Sequence, residues 1–193
     1  MNALLHFKTW EPANLPKGVK PTGTAWIFLE KTDGTKKARL VAKGYQVEVF
    51  CNIYAPVAQL TTIRMLFSVA LQQGWDIIQL DVPTAFLNGE LKNDIYMSPA
   101  KGVKCKSKVL QLKKSLYGLP SASRDWNEEF DLKMKRYGLI VWVDDINITG
   151  GEGEILKLVR YLEQVCNAKN FGTISNFLGT TIELKSNYIS ISQ

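Results

Sequence analysis

Residues 140–150 read IVWVDDINITG. Val141 and Val143 before the two aspartates, and Ile146 and Ile148 after them, alternate with a period of two. That pattern predicts two buried strands of a hairpin with Asp144 and Asp145 at its tip. A two-residue hairpin turn favours Asn-Gly, because both positions need positive φ, so the acidic pair is a poor turn. One explanation is a solvated turn residue beside an incidental second aspartate. The apolar flanks favour another. Two partly desolvated carboxylates repel, and one takes up a proton unless a cation is present. A bound divalent ion removes that conflict. No thiolate or imidazole lies nearby, so oxygen ligands point to Mg²⁺ or Mn²⁺ rather than zinc.

A third carboxylate completes the pattern. Residues 75–82, WDIIQLDV, read as a buried strand that ends at Asp81-Val82, because Pro83 cannot donate to a ladder. If this strand neighbours the hairpin, Asp81 and Asp144 face one site. Two metals ~3.5–4 Å apart there would clamp the attacking and leaving oxygens of a phosphoryl transfer.

Further out, TAWIFLE (24–30) and KKARLVAK (36–43) read as a hairpin around the Asp-Gly of KTDG. Residues 11–23, with three prolines and two glycines, read as an extended linker. The spacing of Ile63, Leu66, Phe67, Ala70 and Leu71 predicts a helix over 61–73 that stops at Gly74. DIYMS (94–98) and KVLQLKK (108–114) read as short strands. A helix is predicted over 121–138, with serine at its N-cap and Gly138 past its end. Another spans 154–166, with Ile155, Val159, Leu162 and Val165 inward. Two strands, NFLGTTIEL and NYISIS, close the chain. This mixed order predicts an α+β fold with a largely antiparallel sheet.

The 193 residues suffice for one core or two small lobes. A net charge of +6 favours a polyanionic partner. Six lysines and no acid in 101–114 fit either a phosphate-binding channel or a solvated loop. Three scattered cysteines without a C-x-x-C pair indicate neither zinc nor a disulfide framework. His6 is the only histidine, which argues against a histidine triad. GGEG (150–153) lacks the Lys-Ser/Thr ending of a phosphate loop, and Glu152 would repel phosphate. No apolar run is long enough to cross a membrane, and the start lacks a signal-peptide pattern. The expectation is an intracellular protein, cytoplasmic or nuclear, with no membrane partner.

Several blocks carry a resemblance. ARLVAKGYQ, APVAQLTTIRMLFSVALQQGW, QLDVPTAFLNGEL, IYM, KKSLYGL, VDDINITG, FLGTTIEL and ISISQ come in one order along nearly the whole chain. Together they resemble the reverse transcriptase domain of Ty1/copia-type retrotransposons. The resemblance implies a right-hand polymerase: a palm of small antiparallel sheet backed by helices, with a fingers β-hairpin. Residues 1–60 would form the N-terminal extension and fingers, and 61–193 the palm. Thumb, connection and RNase H regions would be absent. The implied activity is RNA-directed DNA polymerisation, with dNTPs and two Mg²⁺ ions (Mn²⁺ as substitute) on a primed RNA or DNA template. Asp81 and Asp144 would be direct metal ligands and Asp145 supporting. Phe86 would block a ribose 2′-hydroxyl, though core packing explains it as well. Lys31 and Arg39 would reach the triphosphate; on charge alone they read as a solvated strand face. NFLGTTIEL would be the hairpin that grips the primer; on its own it reads as an ordinary edge strand.

The chain departs from the family pattern at several places. Trp142 stands where tyrosine is usual. Ser121 replaces a glutamine that contacts the nucleotide and is too short for that contact, whereas Arg124 and Trp126 are kept. Gly138 runs directly into LIVWVDD, where the family has a longer segment, so the chain reads as a partial, internally shortened copy, through an internal deletion or a wrongly assigned intron. Two alternatives stand beside a working polymerase. One is a non-catalytic nucleic-acid-binding remnant; the other is a different Mg²⁺-dependent phosphoryl-transfer enzyme.

Overall fold

The computed structural model describes residues 2–31, 33–48, 53–55, 59–103, 105, 107–134, 145–177, 180–185 and 188–192. In chain order these form α1 (Asn2–His6), β1 (Trp10–Pro12), β2 (Thr24–Glu30), β3 (Lys36–Ala42), α2 (Leu60–Gln73), β4 (Ile77–Asp81), β5 (Tyr96–Met97) and β6 (Leu110–Leu112). There follow α3 (Ala122–Met134), β7 (Asp145–Thr149), α4 (Glu152–Cys166), β8 (Lys169–Thr173), β9 (Asn176–Phe177), β10 (Thr180–Lys185) and β11 (Tyr188–Ser192). All strand pairings between these elements are antiparallel. The chain divides into two units. The first joins Met1–Pro56 to Phe86–Leu132, and the second joins Val57–Ala85 to Lys133–Gln193.

In the first unit β2 and β3 pair over seven positions, from Thr24↔Ala42 to Glu30↔Lys36. The Asp-Gly turn forms as the sequence predicts. The Gly34 amide donates to the Lys31 carbonyl, and Gly34 takes φ +78°. The Thr35 amide donates to Asp33 Oδ1 at 2.8 Å and holds that carboxyl below its ordinary range. The second sheet has the order β1-β6-β5. Strand β1 overlaps the segment expected to be a linker. It tolerates Pro12 because it is an edge strand, where one missing donor costs little. Leu40, Ala42, Leu87, Met97, Leu110, Leu112 and Leu116 form the buried core of this unit.

One contact in this core admits only glycine. The Ala42 amide donates to the Tyr117 carbonyl at 2.8 Å. Gly118, at φ +88°, then lies so close to β3 that a Cβ there would strike the Ala42 carbonyl oxygen and the Val41 side chain. A Cβ on Gly44 would strike the Gly118 carbonyl oxygen. Gly118→Ala combines a left-handed backbone with overpacking, so it should cost about 2–4 kcal/mol in a denaturant titration. A loss under about 0.5 kcal/mol, the scale of an ordinary surface change, would contradict this packing.

In the second unit β4 is the centre of a sheet ordered β7-β4-β8, and β9, β10 and β11 form a meander. Helix α2 buries Ile63, Phe67 and Ala70 against Ile77, Ile174, Phe177 and Ile182. It stops at Gly74, whose φ of +64° lets its amide reach the Ala70 and Leu71 carbonyls. Helix α4 buries Ile155, Leu158, Val159, Leu162 and Cys166. Leu158 and Cys166 thus complete the stripe at i, i+3, i+4 spacing, and the predicted Val165 sits half-buried at its flank. Strand β8 was not expected. Its sequence, KNFGT, is almost wholly exposed, so it has no apolar alternation to read. The first strand of the predicted aspartate hairpin and the end of the 121–138 helix lie outside the described residues.

Candidate active site

Asp81 is the last residue of β4, a strand whose Ile77 and Leu80 are buried. On one side β7, with Ile146 and Ile148 buried, pairs Asp145 with Asp81. On the other side β8 pairs Lys169 with Asp81. The row across the end of the sheet is therefore Asp145, Asp81, Lys169. Antiparallel partners of this kind have Cα atoms about 4.5–5.5 Å apart. Asp81 is half-buried and Lys169 exposed. Asp144 lies outside the described residues, and Asp145 is described by its backbone alone. Among the described residues no group of three potential metal ligands comes together. The donor chemistry that is present, carboxylate oxygens without thiolate or imidazole, fits Mg²⁺ or Mn²⁺.

Immediately beyond, Thr84 holds φ +59°. A β-branched residue in this region is strained, and such strain concentrates at functional turns. It bends the chain out of β4 into a 3₁₀ turn, Ala85–Asn88.

Within the first unit, the Arg39 guanidinium carbon lies 5.2 Å from the centroid of the Tyr117 ring. On the same ring, Phe86 packs at 4.5 Å between centroids with the planes tilted by 57°. Arg39, Tyr117 and Phe86 are each half-buried, and Lys31, just past β2, is exposed. Phe86 does pack on the core of this unit, as its side chain alone suggested.

Ser121 and Arg124 are engaged on a buried carboxylate. Asp125 is 2% exposed. Its Oδ2 accepts from the hydroxyls of Ser121 at 2.8 Å and Ser115 at 3.1 Å. Its Oδ1 accepts from Arg124 Nη2 at 2.6 Å. Ser121 also borders a cavity of about 460 Å³, with Lys20, Gln46, Asp94 and Tyr96 on its walls. In the lysine-rich stretch, Lys113 pairs with Glu11 and Lys114 with Glu90. Lys101 and Lys108 are exposed, and Lys104 and Lys106 lie outside the described residues.

Tyr117, Asp125 and Lys169 were not singled out from sequence. An acid in a helix's first turn reads as a partner of the helix dipole, which hid Asp125. The neighbours of Tyr117 and Lys169 come from distant parts of the chain.

Comparisons with known proteins agree on one family. The family described as "Reverse transcriptase (RNA-dependent DNA polymerase)" matches residues 7–140. The Pol polyprotein of transposon TNT 1-94 from Nicotiana tabacum is 35% identical over 216 positions, covering 94% of this chain and 16% of the relative. The Ty1-BL Gag-Pol polyprotein of Saccharomyces cerevisiae is 34% identical over 140 positions, covering 66% of this chain and 8% of the relative. The chain thus spans about a sixth or less of the curated relatives it matches. The structure of a foamy viral protease-reverse transcriptase in complex with double-stranded DNA superposes with a TM-score of 0.58 at 16% identity. It covers 98% of this chain and 33% of that one. The α+β fold with antiparallel sheets is that of a reverse transcriptase. Two of these findings bear on the expected shortening. The alignment to the tobacco relative needs 216 positions for 94% of a 193-residue chain, so the relative has residues without counterparts here. The family match also ends at residue 140, beside the Gly138–Leu139 junction.

Proposed function

We propose, for a chain that belongs to the reverse transcriptase (RNA-dependent DNA polymerase) family of Ty1/copia-type Pol polyproteins, that it joins dNTPs to a primer 3′-hydroxyl on an RNA or DNA template. The observation that carries this reading is the register Asp81↔Asp145 at the end of a three-stranded antiparallel sheet, with Asp144 next in sequence. Asp81 and Asp144 would hold Mg²⁺ or Mn²⁺ directly, with Asp145 supporting. Bound ions supply charge neutralisation at the attacking and leaving oxygens. The primer hydroxyl attacks the α-phosphate and pyrophosphate leaves, so the protein's work is positioning. Lys31 and Arg39 take the triphosphate, where arginine offers two parallel donors. Phe86 stands against the sugar and excludes a 2′-hydroxyl. Ser121 and Arg124 act on the nucleotide through the loop that they fix to Asp125. Residues 61–193 supply the palm, with 86–132 packed in the unit that carries the fingers hairpin. We place the reaction inside the cell, in cytoplasm or nucleus.

Primer extension on a short RNA–DNA hybrid tests this, in Mg²⁺, in Mn²⁺ and in EDTA, with Asp144→Asn as control. The expected result is extension that EDTA and the Asp144 substitution both abolish. Absence of any Asp144-dependent extension overturns it. A second reading, a nucleic-acid-binding remnant without catalysis, is favoured by one observation: the tobacco relative aligns over 216 positions to 94% of this chain and so has residues without counterparts here. Binding of the hybrid without extension would support that reading. Degradation without extension would support another Mg²⁺-dependent phosphoryl-transfer enzyme.

A further inference from the structure

Arg39 and Phe86 come from distant segments and touch the same ring. Tyr117 carries the Arg39 guanidinium at 5.2 Å and the Phe86 ring at 4.5 Å. Its backbone cannot drift from β3, because its carbonyl accepts the Ala42 amide and the next residue, Gly118, is in direct contact with that strand. Phe86 is tied in as well. Gly89 closes the 3₁₀ turn by donating to the Phe86 carbonyl, and its own carbonyl accepts from Ser115, two residues before Tyr117. The tyrosine ring is thus a fixed piece between a cation and an aromatic plate, each half-buried, and Phe86 packs on the core of this unit as well.

We propose that Tyr117 is a positioning residue that couples Arg39 to Phe86 and so sets the selectivity for deoxyribose over ribose. The inference rests on the function proposed above, in which Arg39 meets the triphosphate and Phe86 the sugar. A nucleotide held by its triphosphate presents its 2′ position to Phe86 at a distance fixed by the ring between them. Removing the ring lets the plate and the cation move independently. Deoxyribonucleotides then lose little contact with Phe86, and ribonucleotides gain room.

The test measures single-nucleotide extension by the full chain with dATP and with ATP on one primer–template. Tyr117→Leu should lower the ratio of the two kcat/KM values about tenfold, the scale of one aromatic pair and one cation–π contact. Tyr117→Phe keeps the ring and should hold the ratio within about threefold of wild type. The ratio does not depend on how much protein folds, so a merely structural role leaves it unmoved. An unchanged ratio in Tyr117→Leu overturns the inference and leaves the proposed function standing. So does a Tyr117→Phe ratio as low as that of Tyr117→Leu, because the hydroxyl and not the ring would then matter. A wild-type chain that extends no primer overturns the proposed function itself, and the inference falls with it.

Discussion

Asp81→Asn should abolish metal-dependent extension while leaving the fold intact. The substitution keeps size, turns one acceptor oxygen into an NH₂ donor and removes one negative charge. Asp81 ends the central strand of its sheet with Asp145 opposite it in register. In the proposed reaction its carboxylate helps to hold the ions that neutralise the transition state, and an amide is a far weaker ligand for a hard cation. The expected loss is roughly 10³-fold or more in single-turnover rate, about 4 kcal/mol of transition-state stabilisation. Thermal stability should change little, because Asp81 stands in register between an acidic and a basic neighbour whose charges act in opposite directions. Melting curves recorded alongside the kinetics separate the two effects. Retention of activity within tenfold of wild type would remove Asp81 from the chemistry.

Asp125→Asn should have the largest effect on stability. The carboxylate is buried and satisfied on both oxygens by Ser115, Ser121 and Arg124. The Asp125 amide also donates to the Ser121 carbonyl, which fixes the first turn of α3 to the preceding loop. Asparagine keeps one acceptor and presents an NH₂ group to the donors of Ser115, Ser121 and Arg124. Arg124 would keep its charge at a site nearly closed to water and lose its nearer carboxylate partner, with Glu128 at 3.9 Å remaining. Breaking a buried pair from one side costs about 3–5 kcal/mol. For a chain of this length that lowers Tm by roughly 10 °C. The contrasting case is Lys92, which pairs with Glu128 where both side chains are well exposed. Lys92→Ala should change stability by less than about 1 kcal/mol. Equal effects of the two substitutions would show that the Asp125 cluster is far wetter than its burial indicates.

What could be read from sequence follows from how local each signal is. The β2–β3 hairpin announces itself through its Asp-Gly turn, α2 through periodicity and Gly74, and α4 through periodicity within a single window. Their boundaries fell within a residue or two of expectation, save that Leu158 and Cys166 replaced Val165 on the buried face of α4. Strand β1 carries a proline and β8 is exposed along nearly its whole length, so neither has a pattern of its own. Both exist because a partner strand supplies the ladder. The same division holds at the site. Asp81 is legible because an acid interrupts an apolar run just before Pro83. Its neighbour Lys169 is not, because the adjacency comes from β8 folding back on β4 some ninety residues later. Ser121 and Arg124 were read for a nucleotide, and the structure engages both on Asp125, which no motif had marked.

The glycines at 44 and 118 give each copy of such an element a molecular clock of its own. Replacing either residue drives a side chain into a main-chain oxygen. Among sister copies that drift without selection, a replacement at Gly118 therefore erodes the fold by the same few kcal/mol, about 2–4. In the proposed reaction, replacing Asp81 would silence synthesis in a protein that still folds. Genealogies of such copies can thus order the two deaths, of the shape and of the chemistry, separately.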